Sequence, residues 1–273
     1  MLGPVPNVWG APVTSYSGPL LVTLQVDGGW DVTSFCDPKV NVPGERDINN
    51  WANSADVQTA GNINYAPFAG NAAFFDAYYQ DILIINGVDS QTNSHTTGVL
   101  HNWTGRNSEG YPSLAAMFAA HHAPGQPLSY LNSGGFVDTG DLIRFSRLGD
   151  LNTLREILTP EKQHDEYFLG PTDMNRIREY RRLRNSRRLA RTDLLARERS
   201  NLEAYESSLE SKVLLSDFED FLPSLDETFR EETINPDVTS NLRGQIQMTI
   251  RTFEAGMGSA ADLFLGGFDT HND

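Results

Sequence analysis

The run Leu20 to Val26 (Leu-Leu-Val-Thr-Leu-Gln-Val), closed by Asp27-Gly28-Gly29, constrains this chain most. A short, nearly unbroken apolar run ended by turn residues predicts a strand buried on both faces, the habit of parallel sheets covered by helices. Three more runs read the same way: Ile82 to Ile85 before Asn86-Gly87, Leu128 to Leu131 before Asn132-Ser133-Gly134-Gly135, and Asp262 to Leu265 before Gly266-Gly267. Ala72 to Tyr79 predicts a short helix. Pro112 and Ser113 open another through Leu114, Met117 and Phe118 to His121, with proline early and histidine late as helices prefer. Residues 37–70 are dense in Asn, Pro, Gly and Asp without a period, and predict a long irregular loop. From Leu142 to Phe253, Arg, Glu and Leu recur at helical spacing, interrupted at Pro160, Gly170-Pro171, Pro223 and Pro236. The expected fold class is therefore α/β, with a mostly parallel sheet flanked by helices and a helical insertion. Its parts are residues 1–141 as the first part of the core, 142–258 as the insertion, and 259–273 as the return strand and its closing motif.

The 273 residues are 39% hydrophobic and 21% charged, which excludes fibrous and disordered classes. A net charge of −15 repels a phosphate backbone, so nucleic acid is not an expected partner. Cys36 is the one cysteine and cannot form an intramolecular disulfide or a thiolate zinc site. No apolar run is long enough to span a membrane. Met1 to Pro12 lacks the basic and apolar regions of a signal peptide, so the chain reads as cytoplasmic or as a trimmed form of an exported one.

In parallel sheets, ligands bind at the carboxyl ends of the strands, and here those ends carry polar, Gly-rich segments. Asp27 and Asp31 follow the first strand, and Asp269 and His271 follow the last. Carboxylate and imidazole groups beside glycines suit a divalent cation, while a turn with a helix-capping Asp is the plainer reading. Ser94 and His95 follow the second strand, as a nucleophile with a proton carrier or as a helix cap with a polar neighbour. The arginines between Arg176 and Arg199 read as a solvated helix paired with Glu179, Asp193, Glu198 and Glu203 more than as a phosphate-binding face. Leu195, Leu202 and Leu209 repeat at seven and suggest a helical hairpin or a partner helix. Asn102-Trp103-Thr104 matches a glycosylation sequon, too short a pattern to weigh. Phosphate-loop, dinucleotide-binding and α/β-hydrolase fingerprints are absent.

Gly28-Gly29-Trp30-Asp31, Asn93-Ser94-His95-Thr96 and Gly266-Gly267-Phe268-Asp269-Thr270-His271 resemble, in order and approximate spacing, the bacterial domain-of-unknown-function family 1501. That family is grouped with the alkaline-phosphatase and sulfatase superfamily. The resemblance implies an alkaline-phosphatase-like core in which Asp31, with Asp27, supplies first metal ligands, Ser94 or His95 lies at the nucleophile, and Asp269 with His271 forms the next ligand pair. The implied chemistry is in-line displacement at phosphorus or sulfur, assisted by a divalent metal such as zinc or calcium. Cys36 is not carried over as a modified nucleophile, because Asp37-Pro38-Lys39 follows it. Family members continue into a Glu-Phe-Gly-Arg-type stretch and a final Asp-His pair that this sequence lacks, which implies the amino-terminal part of such a protein. The expected function is an exported, periplasmic or extracellular, metal-dependent hydrolase of small anionic phosphate or sulfate esters, incomplete in this chain. The alternative is a non-catalytic cell-surface or assembly protein that keeps the fold and binds a protein partner through residues 171–215.

Overall fold

The computed structural model describes residues 15–47, 56–147, 162–163, 166–167, 169–203, 205–206 and 236–269. They divide into two compact units, one of Met1–Gln25 with Val99–Gly266 and one of Val26–Gly98 with Gly267–Asp273, the division falling within the first strand and the second helix.

The first unit is built on a three-stranded parallel sheet in the order β1 (Leu21–Val26), β7 (Ala260–Leu265), β4 (Tyr130–Asn132). The last strand in sequence is thus central. Helices cover β7 and β4 on both faces, whereas β1 at the edge is not buried on both faces as its apolar run predicts, with Val22 48% and Leu24 49% exposed. On one, α3 (Leu114–His122) packs Ala115, Ala116 and Ala119 against Tyr130 and Ala260, with Leu21 at the margin. On the other, α5 (Pro236–Glu254) packs Met248 and Phe253 against Leu128, Leu131 and Ala261. Alanines on both the helix and the central strand permit this close helix–sheet approach. Both strands β4 and β7 are fully buried over their paired residues, as their apolar runs require.

One row of side chains across this sheet is polar. Asp262 on β7 stands in register with Asn132 on β4 and accepts from Thr23 Oγ1 on β1 at 2.5 Å. Tyr130 Oη donates to the other oxygen of Asp262 and lies 3.2 Å from Ser113 Oγ, the N-cap of α3. Asp262 is 0% exposed. Burial pushes its carboxyl up to about 6, against the opposing pull of the donors from Thr23, Tyr130 and Asn132. Burial, reinforced by the Asp262 charge, raises the Tyr130 phenol as well.

Residues 142–258 supply two helices that open on proline, which has no amide hydrogen to lose at a first turn. They are α4 (Pro171–Leu189) and α5, with two-residue strands β5 (Lys162–Gln163) and β6 (Glu166–Tyr167) ahead of α4. After α4 the chain turns back into a helical stretch at 196–203. Arg199 clamps that turn by donating to the Leu189 and Arg191 carbonyls, and Asn185 donates to the Leu202 carbonyl and to Glu206. Along α4, Arg176 pairs with Asp173 and Arg182 with Glu179, as a solvated helix predicts. Beyond it, Asp193 pairs with Arg191 and Glu198 accepts from the Leu195 amide. Of the three leucines repeating at seven, Leu202 is buried, Leu195 is 70% exposed, and Leu209 lies outside the described residues.

In the second unit, the expected irregular loop at 37–70 instead contains a hairpin, β2 (Gln58–Ala60) with β3 (Ile63–Tyr65). Its alternation is only three residues long on each side, too short to register as a period, and Gly61 at φ +60° makes the tight turn. α1 (Asn71–Tyr78) buries Phe75 against Ala60, Ile63 and Tyr65, and the Tyr65 and Phe75 rings stack at 4.7 Å. Asn71 Nδ2 ties the Ser34 and Ala66 carbonyls together. The predicted strand at Ile82 to Ile85 is not formed. Ile82 and Ile84 pack on the Phe75 cluster, but Leu83 is 82% and Ile85 70% exposed, so one face of the run has no cover and no ladder. No helix among the described residues is long and apolar enough to cross a membrane.

Phe75 is the pin of the second unit. Phe75→Ala is expected to lower unfolding stability by about 3–5 kcal/mol, the usual cost of an emptied aromatic core site. Urea denaturation of the full chain reads this, and a loss below about 1 kcal/mol would contradict the packing described.

Candidate functional site

The polar segment after β1 meets the segment after β7 within the second unit. The Phe268 amide donates to the Asp27 carbonyl at 3.3 Å. Gly28, at φ +107°, lies so close that a Cβ there would stand 2.3 Å from the Asp269 nitrogen. Only glycine accepts both that conformation and that approach. Asp269 is thereby held beside the start of α2 (His95–Thr104), where His95 Nε2 lies 3.7 Å from Asp269 Oδ2 with both side chains about half exposed. Three of the sequence-predicted residues, Asp27, His95 and Asp269, are therefore gathered by backbone contact and ion pairing.

Ser94 immediately precedes α2. Its Oγ accepts from the Thr97 amide at 3.5 Å, and its own amide donates to Thr92 Oγ1. This is the geometry of an N-cap held by a long hydrogen bond. The hydroxyl is exposed beside His95. Both readings of Ser94, cap and reactive hydroxyl, thus share one position.

Asp31 caps the short 3-10 helix Val32–Ser34. Its Oδ1 accepts from the Thr33 amide at 2.9 Å and from Thr33 Oγ1 at 2.6 Å, and its Oδ2 accepts from Ser34 Oγ at 2.7 Å. Burial pushes this carboxyl up, but the Thr33 and Ser34 donors outweigh it and hold the group below the ordinary aspartate range. Asp31 is an anion already committed to local donors. His271 lies outside the described residues. Among the described residues no three His, Cys, Asp or Glu side chains are grouped so as to hold a metal ion, so His95 with Asp269 stands as a two-donor pair.

The other two Gly-rich strand ends lie in the first unit and the 82–98 region. Because β4 and β7 run parallel, Ser133-Gly134-Gly135 and Gly266 leave the sheet at the same end, with the Ser133 amide on the Asp262 carbonyl and Gly135 against the Phe264 ring. Gly87-Val88-Asp89 leads instead into a turn where Asp89 Oδ1 accepts the Gln91 amide.

Asp262 and Tyr130 are hidden in the sequence inside runs that count as apolar. The available signal is period two: Ala260 and Asp262 alternate with Ala261 and Leu263, so a carboxyl in that row faces whatever the alanine faces. Thr33 and Ser34, two and three residues after Asp31, are the spacing of a capping turn.

Comparison of the chain with protein-family models, curated proteins and solved structures found no match.

The close approach at Gly28 separates it from its neighbour. Gly29, at φ +91°, has nothing within 4 Å of the place a Cβ would occupy. Gly29→Ala should cost about 1 kcal/mol for its backbone conformation. Gly28→Ala should cost at least about 2 kcal/mol more, since Phe268 and Asp269 must move as well. Parallel urea titrations of the two variants decide this, and equal losses would contradict the contact.

Proposed function

We propose that this chain carries an alkaline-phosphatase-like core and contributes to a metal-dependent hydrolase of phosphate or sulfate esters acting in the periplasm or outside the cell. The observation that supports the reading best is the His95–Asp269 pair beside Asp27-Gly28, at the start of α2. His95, Asp269 and Gly28 come one from each of the three segments that carry the family resemblance.

The chain's own groups have defined capacities. The Asp269 carboxylate facing Nε2 orients the His95 imidazole and stabilises a proton carried on that nitrogen, the capacity of a general acid–base group. Helix α2 presents its amino terminus beside the pair, an environment that favours an anionic ester oxygen. Ser94 offers a hydroxyl at that same terminus, and release of its long bond to the Thr97 amide would free it for attack. A divalent cation would need more than the two donors His95 and Asp269. Asp31 already accepts three hydrogen bonds from Thr33 and Ser34.

A second reading, a non-catalytic surface or assembly protein, is favoured by α4. Tyr180 is 66% exposed on that helix among exposed arginines, a composition common in protein interfaces.

The deciding experiment measures zinc and calcium content of the purified full chain and its turnover of aryl phosphate and aryl sulfate esters. The reading predicts cation-dependent turnover of one ester class, reduced about a hundredfold or more by His95→Ala and by Asp269→Asn. Retention of no cation together with no turnover of either ester would overturn it and favour the assembly reading.

A further inference from the structure

Asp262 joins three strands and a helix cap through one carboxyl group. Thr23 reaches it from β1, Tyr130 from β4, and Tyr130 in turn contacts Ser113, whose Oγ accepts the Ala116 amide at the start of α3. The group is wholly buried in the central strand. No cation pairs with it among the described residues. Arg147 reaches it only indirectly, donating to Asn132 Oδ1 at 3.0 Å, and Asn132 stands beside Asp262 in the sheet. From the α3 side the facing groups are the uncharged Ser113 and the loop residue Asp138, whose carbonyl accepts the Ser113 amide and whose carboxylate is bound by the Gly110 and Gly140 amides. On α5 the buried polar groups are the uncharged Gln245, paired with the Phe264 backbone, Thr249 and Thr252.

A buried carboxylate held only by neutral donors, here two hydroxyls and the Asn132 amide, loses more hydration than those donors return, whereas a neutral carboxylic acid gives up little. We propose that Asp262 is a proton-operated latch: uptake of one proton from solvent on its carboxyl tightens the β1–β7–β4 sheet and the α3 cap, and release of that proton loosens them.

The hydrogen-bond chain accommodates both states. With Asp262 ionised, Thr23 and Tyr130 donate to it and Ser113 is the donor to Tyr130. With Asp262 protonated on the oxygen facing Tyr130, its O–H donates to Tyr130 Oη, and Tyr130 turns its own proton toward Ser113 Oγ. The direction of the chain reverses as far as the helix cap, while Thr23 keeps donating to the second oxygen. The heavy atoms keep their places, and the Ser113 hydroxyl proton turns away from Tyr130.

The sign follows from the folded group lying above its unfolded value. The extra stability is fully present below about pH 4 and is lost as pH rises through about 6. The folding equilibrium constant should therefore fall by up to about tenfold per pH unit over that interval, about a hundredfold in all.

The test is urea denaturation of the full chain from pH 4 to 8, for wild type and Asp262→Asn. Differences between the two remove the general effect of the other carboxylates. The wild-type advantage should shrink about a hundredfold in equilibrium constant between pH 4 and 7. Parallel profiles would overturn the proposal. Should Asp262→Asn fail to fold, Tyr130→Phe serves. It removes a donor that the ionised form needs and so should move the wild-type midpoint to higher pH, and an unmoved midpoint would overturn the proposal equally. Amide exchange at Ser133, corrected for its intrinsic rate, should slow at acid pH in wild type.

Discussion

The sheet of the first unit hangs on the fastening of strand β7 by Asp262. A three-stranded parallel sheet has little ladder to hold it, and β4 contributes only three paired residues. Side chains tie the central strand further: Asp262 to Thr23 and Tyr130 within the sheet, and the Gln245 amide closing the Phe264 backbone beyond the end of β4. A carboxyl without donors in that position would cost several kcal/mol, so the surrounding hydroxyls are a condition for the strand's existence as well as a gain from it. The same strand leads in sequence through Gly266-Gly267 to Asp269, the carboxylate that His95 meets.

Glycine performs a complementary task at the candidate site. Asp27, Gly28, Phe268 and Asp269 belong to segments some 240 residues apart in sequence, and their backbones touch because one of them has no side chain. The polar groups nearby are divided between local and non-local partners. Asp31 spends its carboxylate on Thr33 and Ser34, whereas Asp269 faces a histidine from another segment. That contrast separates the two aspartates that motif spacing treats alike.

Much of the architecture is legible in residue order. Leu20 to Val26, Leu128 to Leu131 and Asp262 to Leu265 fall on β1, β4 and β7, and Pro171 and Pro236 open helices, because apolar run length and proline's missing amide act locally. Ser113 caps α3 at the place its sequence suggests, although Pro112 precedes the cap and is not in the first turn. Ile82 to Ile85 shows the limit. Its composition suits a buried strand, yet pairing depends on a neighbour that no local pattern specifies, and Leu83 and Ile85 remain exposed. The β2–β3 hairpin escapes detection for the opposite reason, since three-residue strands carry too little alternation to register. At the site, residue type locates His95 and Asp269, but which acid meets the histidine is decided by tertiary contact alone.

The claim that matters most for function is that Asp269 faces the His95 imidazole. Long-range proton–nitrogen correlation spectra of the histidine rings test it directly, comparing wild type with Asp269→Asn. The structure predicts that the His95 Nε2 resonance shifts in the variant while those of His121 and His122 stay in place. An unchanged His95 ring would mean that the two residues do not meet, and the candidate site would lose the pair on which it rests.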